Sequence, residues 1–229
     1  MSFLRHLPCP KCGSRDNLGE YDDHYFCFGC KYYHAKDDVF SLRKRINNQH
    51  KKQSTETEML INVKDIPQKA MKWLLKYGIT PDEIKKYKFS WNPIRNMLVL
   101  LETKDYWQGR NFGFGPKYQS NGNKPLTIYG NGDIIVLVED VLSAVKIARL
   151  RDEFCSLPLL GSSVSKQVEQ RLVKLNKPVY VWLDRDKAVQ AVRIKNRLKS
   201  LGLDSKVIVT NLDPKEYNKL ELTVWLKSR

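Results

Sequence analysis

Four cysteines stand in two close pairs near the start of the chain. Cys9 and Cys12 form C-P-K-C, Cys27 and Cys30 form C-F-G-C, and residues 13–26 separate them. A CxxC turn sets two thiolates on one side of a tight knuckle. Two such knuckles joined by a short hairpin supply the four sulfurs of a tetrahedral Zn2+ site. Two disulfides or a single redox CxxC are the competing chemistries. The odd total of five cysteines, and no apolar leader in MSFLRHLPCP, argue against disulfides. The presence of two pairs argues against a redox motif. Cys155, alone in FCSLPLL, reads as a buried structural thiol.

The second chemically loaded set is acidic. Glu139 directly follows the apolar run Ile134–Val138, and Asp184 directly follows Val179–Leu183, with Asp186 two residues on. Asp213 stands further along in LDPKEY, with Glu216 nearby. Carboxylates gathered at one place repel each other unless a cation neutralises them. A hard divalent ion, Mg2+ or Mn2+, is the natural occupant, and it suits phosphoryl or nucleotidyl transfer. Acids after strands also serve as helix N-caps, so both uses stay open at each position.

The frame that must carry these acids is legible downstream of residue 133. Ile134–Val138, Phe154–Leu160, Val179–Leu183 and Lys206–Thr210 read as strands. Val141–Leu150, Ser165–Leu175, Ala188–Leu201 and Glu216–Leu226 read as helices between and after them. Alternation of this kind predicts a parallel α/β sheet, whose ligands bind at the carboxyl ends of the strands. Upstream, Gln68–Tyr77 and Pro81–Lys88 are expected helices, with Thr80 as N-cap and Pro81 at N1. Met97–Glu102, Tyr106–Phe112 and Leu126–Tyr129 are expected strands. A Gly-rich basic loop, GFGPKYQSNGNK, fills the gap before the last. Asp37–Arg45 reads as a short basic helix, and the polar stretch from Asn47 to Glu58 as a linker. The expected organisation is thus a zinc ribbon over 1–45 and a flexible linker over 46–60. A catalytic region over 61–229 follows, divided into a basic part, 61–132, and a parallel α/β part, 133–229.

Composition narrows the partners. Among 229 residues, 41% are hydrophobic and 28% charged, which is ordinary for a folded domain and excludes wholesale disorder. No apolar run approaches the roughly 18–20 residues of a membrane span. Lys and Arg number 40 against 25 Asp and Glu, giving +15, an excess that points to a polyanion such as nucleic acid. The ribbon hairpin carries Tyr21, Asp22, Asp23, His24 and Tyr25. Aromatics there can stack on bases, while Asp22 and His24 can read base edges or serve as plain turn residues. Phe26 and Phe28, beside the ligands, are expected to cover the zinc core.

The ordered set V-E-D at Glu139, D-R-D at Asp184 and Asp186, and downstream L-D-P-K-E resembles a Toprim domain. That fold is shared by DnaG-type primases, topoisomerases, OLD nucleases and RecR recombination mediators. The stretch HLPCPKCGSRDN…DDHYFCFGC is similar to the zinc-binding domain of bacteriophage primase–helicases, and Pro67–Gly130 is similar in layout to the basic subdomain of phage primases. The resemblance implies a phage-type DNA primase. It assigns Cys9, Cys12, Cys27 and Cys30 to one structural Zn2+. It assigns Glu139, Asp184 and Asp186, with Asp213, to a Mg2+- or Mn2+-dependent active site. Asp22 and His24 match an Asp and a His that read a template base in related phage primases. Arg110, Lys117 and Lys124 fall where cations grip the nucleotide triphosphate or template. A glycine often follows the glutamate in that family, whereas Asp140 stands here. The implied partners are a single-stranded DNA template and ribonucleoside triphosphates, and the implied location is the host cytoplasm. No Walker-type motif follows, so the expected replicative helicase is a separate protein, as is the DNA polymerase. A RecR-like, non-catalytic mediator and a Toprim nuclease are the alternatives. A mediator places its zinc knuckles against the Toprim fold, whereas about a hundred residues intervene here.

Overall fold

The computed structural model describes residues 3–22, 24–36, 63–150 and 153–228. The expected helix Asp37–Arg45, the linker and Asp23 lie outside the described residues. Those described fall into two units, one ending at residue 36 and one beginning at residue 63.

The N-terminal unit is an antiparallel sheet of β1 (Phe3–Leu7), β2 (Leu18–Tyr21), β3 (His24–Cys27) and β4 (Tyr33–Ala35), in that order. Its core is small: Cys9, Leu18 and Cys27 are buried, with Leu7, Tyr25 and Tyr32 packed against them. So little apolar area does not by itself offset the entropy of ordering the chain.

The C-terminal unit opens with α1 (Gln68–Lys76) and α2 (Pro81–Lys86). As expected, Thr80 caps α2: its hydroxyl accepts from the Glu83 N–H, and Glu83 accepts from the Thr80 N–H at 2.9 Å. An antiparallel sheet follows, ordered β5 (Ser90–Asn92), β6 (Met97–Thr103), β7 (Tyr106–Asn111) and β8 (Tyr118–Gly122). Two sequence expectations are corrected here. The Gly-rich loop contains β8, because an edge strand needs only one backbone ladder and YQSNG pairs with β7 despite its exposed, polar side chains. Leu126–Tyr129 is not a strand. It touches a sheet through one bridge, Tyr129 to Ser156, while Leu126 and Ile128 fill space beside a core.

The parallel sheet contains β9 (Ile134–Val138), β10 (Phe154–Pro158), β11 (Val179–Val181) and β12 (Ser205–Val207), ordered β10-β9-β11-β12. Its helices are α3 (Val141–Ala148), α4 (Lys166–Leu175), α5 (Ala188–Ser200) and α6 (Lys219–Lys227). The last starts later than the sequence suggests. Pro214–Glu216 forms its own 3-10 turn, and Asn218 then caps α6 with Glu221. Alternation along the strands divides the interior. Val136, Val138, Tyr180 and Trp182 face a core shared with α3, α6 and α1. Ile135, Leu137, Val179 and Val181 face α4 and α5. Both faces of β9, β10 and β11 are buried, which is why Ile134–Val138 and Val179–Leu183 read as unbroken apolar runs, whereas Lys206 on the edge strand β12 is exposed. None of the helices described is long and apolar enough to cross a membrane.

Arg149 joins the two halves of this unit. It contacts both Glu83 carboxylate oxygens, at 2.5 and 2.6 Å, and the Gly78 carbonyl at 2.6 Å. Burial alone would raise the Glu83 carboxyl, but Arg149 and the Thr80 cap hold it below its ordinary value. A depressed carboxylate stabilises the fold at neutral pH, and that contribution is lost as pH falls through its lowered value. Arg149→Ala should therefore cost about 2–3 kcal/mol in urea denaturation at pH 7, and distinctly less near pH 3.

Candidate zinc centre and active-site groove

The four cysteine sulfurs converge within 4.8 Å of one another, and among the described residues no other group of three or more potential metal ligands does so. Two backbone turns build the knuckles alike. The Gly13 N–H donates to the Cys9 carbonyl and the Lys31 N–H to the Cys27 carbonyl, each at 2.9 Å. Gly13 stands at φ +71°, a left-handed geometry that glycine adopts without strain. Cys9–Cys30 and Cys12–Cys27 sulfurs are 3.7 Å apart. Tetrahedral zinc with bonds of about 2.3 Å requires sulfurs about 3.8 Å apart, so the set fits the ion. All five cysteines are free thiols, and Cys155 is buried, as the sequence suggests.

The ladder register puts His6, Gly19, Tyr21, His24, Phe26 and Tyr33 on one face of the ribbon sheet. His24 lies parallel to Tyr21 at 4.6 Å and beside Tyr33 at 5.1 Å. Phe28 is 57% exposed and packs edge-on against Phe26. The expectation that these two phenylalanines cover the zinc core is thus overturned; Leu18, Tyr25 and Tyr32 do so. Asp22 sits exposed at the β2–β3 tip, one residue beyond this aromatic row.

In the C-terminal unit, Glu139 emerges from β9 and Asp184 just beyond β11. These neighbouring strands send their following helices to opposite faces, and the crevice at such a switch point is where open α/β sheets hold ligands. A groove of about 710 Å³ opens there. Glu139, Asp140, Asp184, Asp213 and Glu216 line it, together with Lys215. Aromatic and cationic side chains, Trp73, Lys76, Tyr77, Arg110, Lys117 and Tyr118, also line it.

The acids differ in their surroundings. Burial pushes Asp184 up to about 7 against the pull of Lys215, with Asp213 and Glu139 adding to the rise. One of its oxygens, Oδ1, is buried with no hydrogen-bond partner. Burial also raises Glu139, although its Oε1 accepts the Asp184 N–H at 3.2 Å. Two half-buried carboxyls, one with an orphaned oxygen, fit a divalent ion. Asp140 caps α3, accepting from the Ser143 N–H at 3.0 Å and hydroxyl at 3.1 Å.

No known family's sequence profile matches the chain, and no curated protein matches it. Among solved structures, the Aquifex aeolicus primase (zinc binding and RNA polymerase domains) aligns over 100% of this chain and 80% of its own, with a TM-score of 0.54 and 14% identity.

The fold is of the primase type.

A chain from a bacteriophage T7 structure also aligns, over 66% of this chain and 84% of its own, with a TM-score of 0.45 and 15% identity. That structure holds the lagging-strand DNA polymerase with primase domains bound to an RNA/DNA hybrid and dTTP.

Within this primase-type fold, the groove brings together Glu139, Asp184, Asp213, Arg110 and Lys117. It does not gather the other two expected residues. Asp186 lies in the turn Arg185–Lys187, where its side chain is exposed and paired with Lys187, although its charge still raises Glu139. Lys124 donates to the Leu160 carbonyl at 2.7 Å and so braces the loop after β10. Arg110 is held among Trp73, Phe112 and Tyr118 at 5.5–5.7 Å, with its Nε buried and unpartnered. Sequence reasoning missed Trp73, Tyr118 and Lys215. The aromatic pair had no signal beyond composition, while Lys215 stood in the L-D-P-K-E stretch already singled out for its acids.

Proposed function

We propose that this chain is a DNA primase that joins ribonucleoside triphosphates into short RNA on a single-stranded DNA template. The carrying observation is one groove with two chemistries, half-buried carboxyls together with cations set among aromatic rings. Glu139 and Asp184 would hold Mg2+ or Mn2+, while Asp186 contributes only its negative charge nearby. Such an ion, when bound, neutralises charge on phosphate oxygens during nucleotidyl transfer. Arg110, Lys117 and Lys76 grip the triphosphate and template backbone. Arg110 suits this because neighbouring rings hold its guanidinium in place, so little freedom is lost on binding. Trp73 and Tyr118 offer faces on which a base can stack. Lys124, occupied by Leu160, serves as a brace. The net charge of +15 supports a nucleic-acid partner. Acting with a replicative helicase and a DNA polymerase belongs to this reading.

Incubation with single-stranded DNA, labelled ribonucleotides and Mg2+ tests it. Short RNA supports the proposal; no product points to a mediator, and degraded template to a nuclease. The ribbon's part is to read the template, with Asp22 accepting from an exposed base amine beside the His24 stack. One base contact discriminates by about 1–3 kcal/mol. Asp22→Ala should therefore flatten start-site preference by about ten- to a hundredfold, while extension of a supplied dinucleotide keeps its rate. An unchanged start-site profile would place recognition elsewhere.

A further inference from the structure

We propose that Lys215 is a built-in cation of the acidic wall. It withdraws Asp140 and Asp213 from metal coordination, so that the groove takes a single divalent ion on Glu139 and Asp184. The inference rests on the reading above only in placing an ion in this groove.

Lys215 Nζ lies 2.6 Å from Asp213 Oδ2 and 3.0 Å from Asp140 Oδ2, and its side chain is 13% exposed. Its backbone is fixed from two directions. Across the Pro214–Glu216 turn the Asp213 N–H donates to the Glu216 carboxylate and the Glu216 N–H to the Asp213 carbonyl, and Lys146, buried on α3, donates to the Lys215 carbonyl at 2.7 Å. The ammonium is therefore held in place from main chain to tip.

Lone pairs then decide which acids are left for a metal. Asp140 spends Oδ1 on the Ser143 N–H and Oδ2 on the Ser143 hydroxyl and Lys215. Asp213 gives Oδ2 to Lys215 at 2.6 Å, while its main-chain carbonyl takes the Glu216 N–H. By contrast, Asp184 Oδ1 has no partner, and Glu139 accepts one long backbone hydrogen bond. A divalent cation needs oxygens with lone pairs to give, and it is repelled by an ammonium a few ångströms away. Lys215 thus occupies electrostatically the place that a second ion would take. Without it, Asp140 and Asp213 would be half-buried carboxylates with no counter-charge, and a cation would be drawn to them.

Counting Mn2+ on the zinc-loaded full chain by electron paramagnetic resonance tests this without any turnover. Wild type should bind one ion, and Lys215→Met should gain a second. Glu139→Gln or Asp184→Asn should weaken the first ion about tenfold or more, whereas Asp213→Asn should leave its affinity within about twofold. Two ions or none on wild type, no gain in a folded Lys215→Met, or a tenfold loss with Asp213→Asn would each overturn the inference. If Lys215→Met fails to fold, the wild-type count and Asp213→Asn decide. The same wild-type preparation, assayed for RNA synthesis, judges the primase reading separately. One bound ion without RNA defeats that reading and leaves the role of Lys215 standing.

Discussion

Replacing Asp184 with Asn should lower nucleotide joining by about a thousandfold or more at any Mg2+ concentration, while single-stranded DNA is still bound. Asp184 is the acid with a buried, unpartnered oxygen, so it has the most to give to an ion. A neutral amide of the same shape keeps the backbone N–H bonded to Glu139 but cannot hold the ion. On the proposed reading, the groove cations Lys76, Arg110 and Lys117 bind the template, and its affinity should persist in the variant. The same variant carries a stability signature. Burial raises the Asp184 carboxyl from 3.8 to about 7, so ionising it costs the folded state as pH rises through that range. At pH 8 and without divalent ions, Asp184→Asn should be more stable than wild type by about 1–2 kcal/mol, a figure reduced for partial solvent screening. Below about pH 4 the difference should vanish, since both side chains are then neutral. Wild-type turnover by the variant would reduce Asp184 to a structural acid.

The second large effect is expected at the ribbon. Cys27→Ser should release the zinc and unfold the N-terminal unit, because apparent zinc binding of about 10–16 kcal/mol is what folds domains of this size. Cys27 is fully buried and its sulfur lies 3.7 Å from that of Cys12, so no other side chain can take its place in the cluster. A chelator should do the same to wild type, with one Zn2+ released per chain. The C-terminal unit, which has two large cores of its own, should keep its unfolding midpoint. Template-directed initiation should fall far more than extension of a supplied dinucleotide. Retention of the N-terminal fold after complete zinc removal would contradict this account.

Much of this molecule is written locally in its residues. The two CxxC turns specify a four-sulfur cluster because each knuckle closes through its own backbone hydrogen bonds. The parallel sheet is legible because its inner strands, buried on both faces, must be apolar, and segments of helical period alternate with them. Glu139 and Asp184 could be located for the same reason, since a sheet of this kind gathers its strand ends. Edges and directions were not written this way. Strand β8 escaped notice because an edge strand takes its stability from a partner's backbone and leaves its side chains unconstrained. Phe26 and Phe28 were misplaced because adjacency to a ligand does not say which face of a strand a ring occupies; ladder register does. Asp186 follows Asp184 by two residues, yet a single 3-10 turn sends it to solvent. Lys215 meets Asp140 across 75 positions of sequence, a pairing produced by the packing of α3 against the turn before α6. Spacing fixes which ligands can come together, but the direction of a side chain leaving a turn, and its distant partner, are settled only when the elements pack.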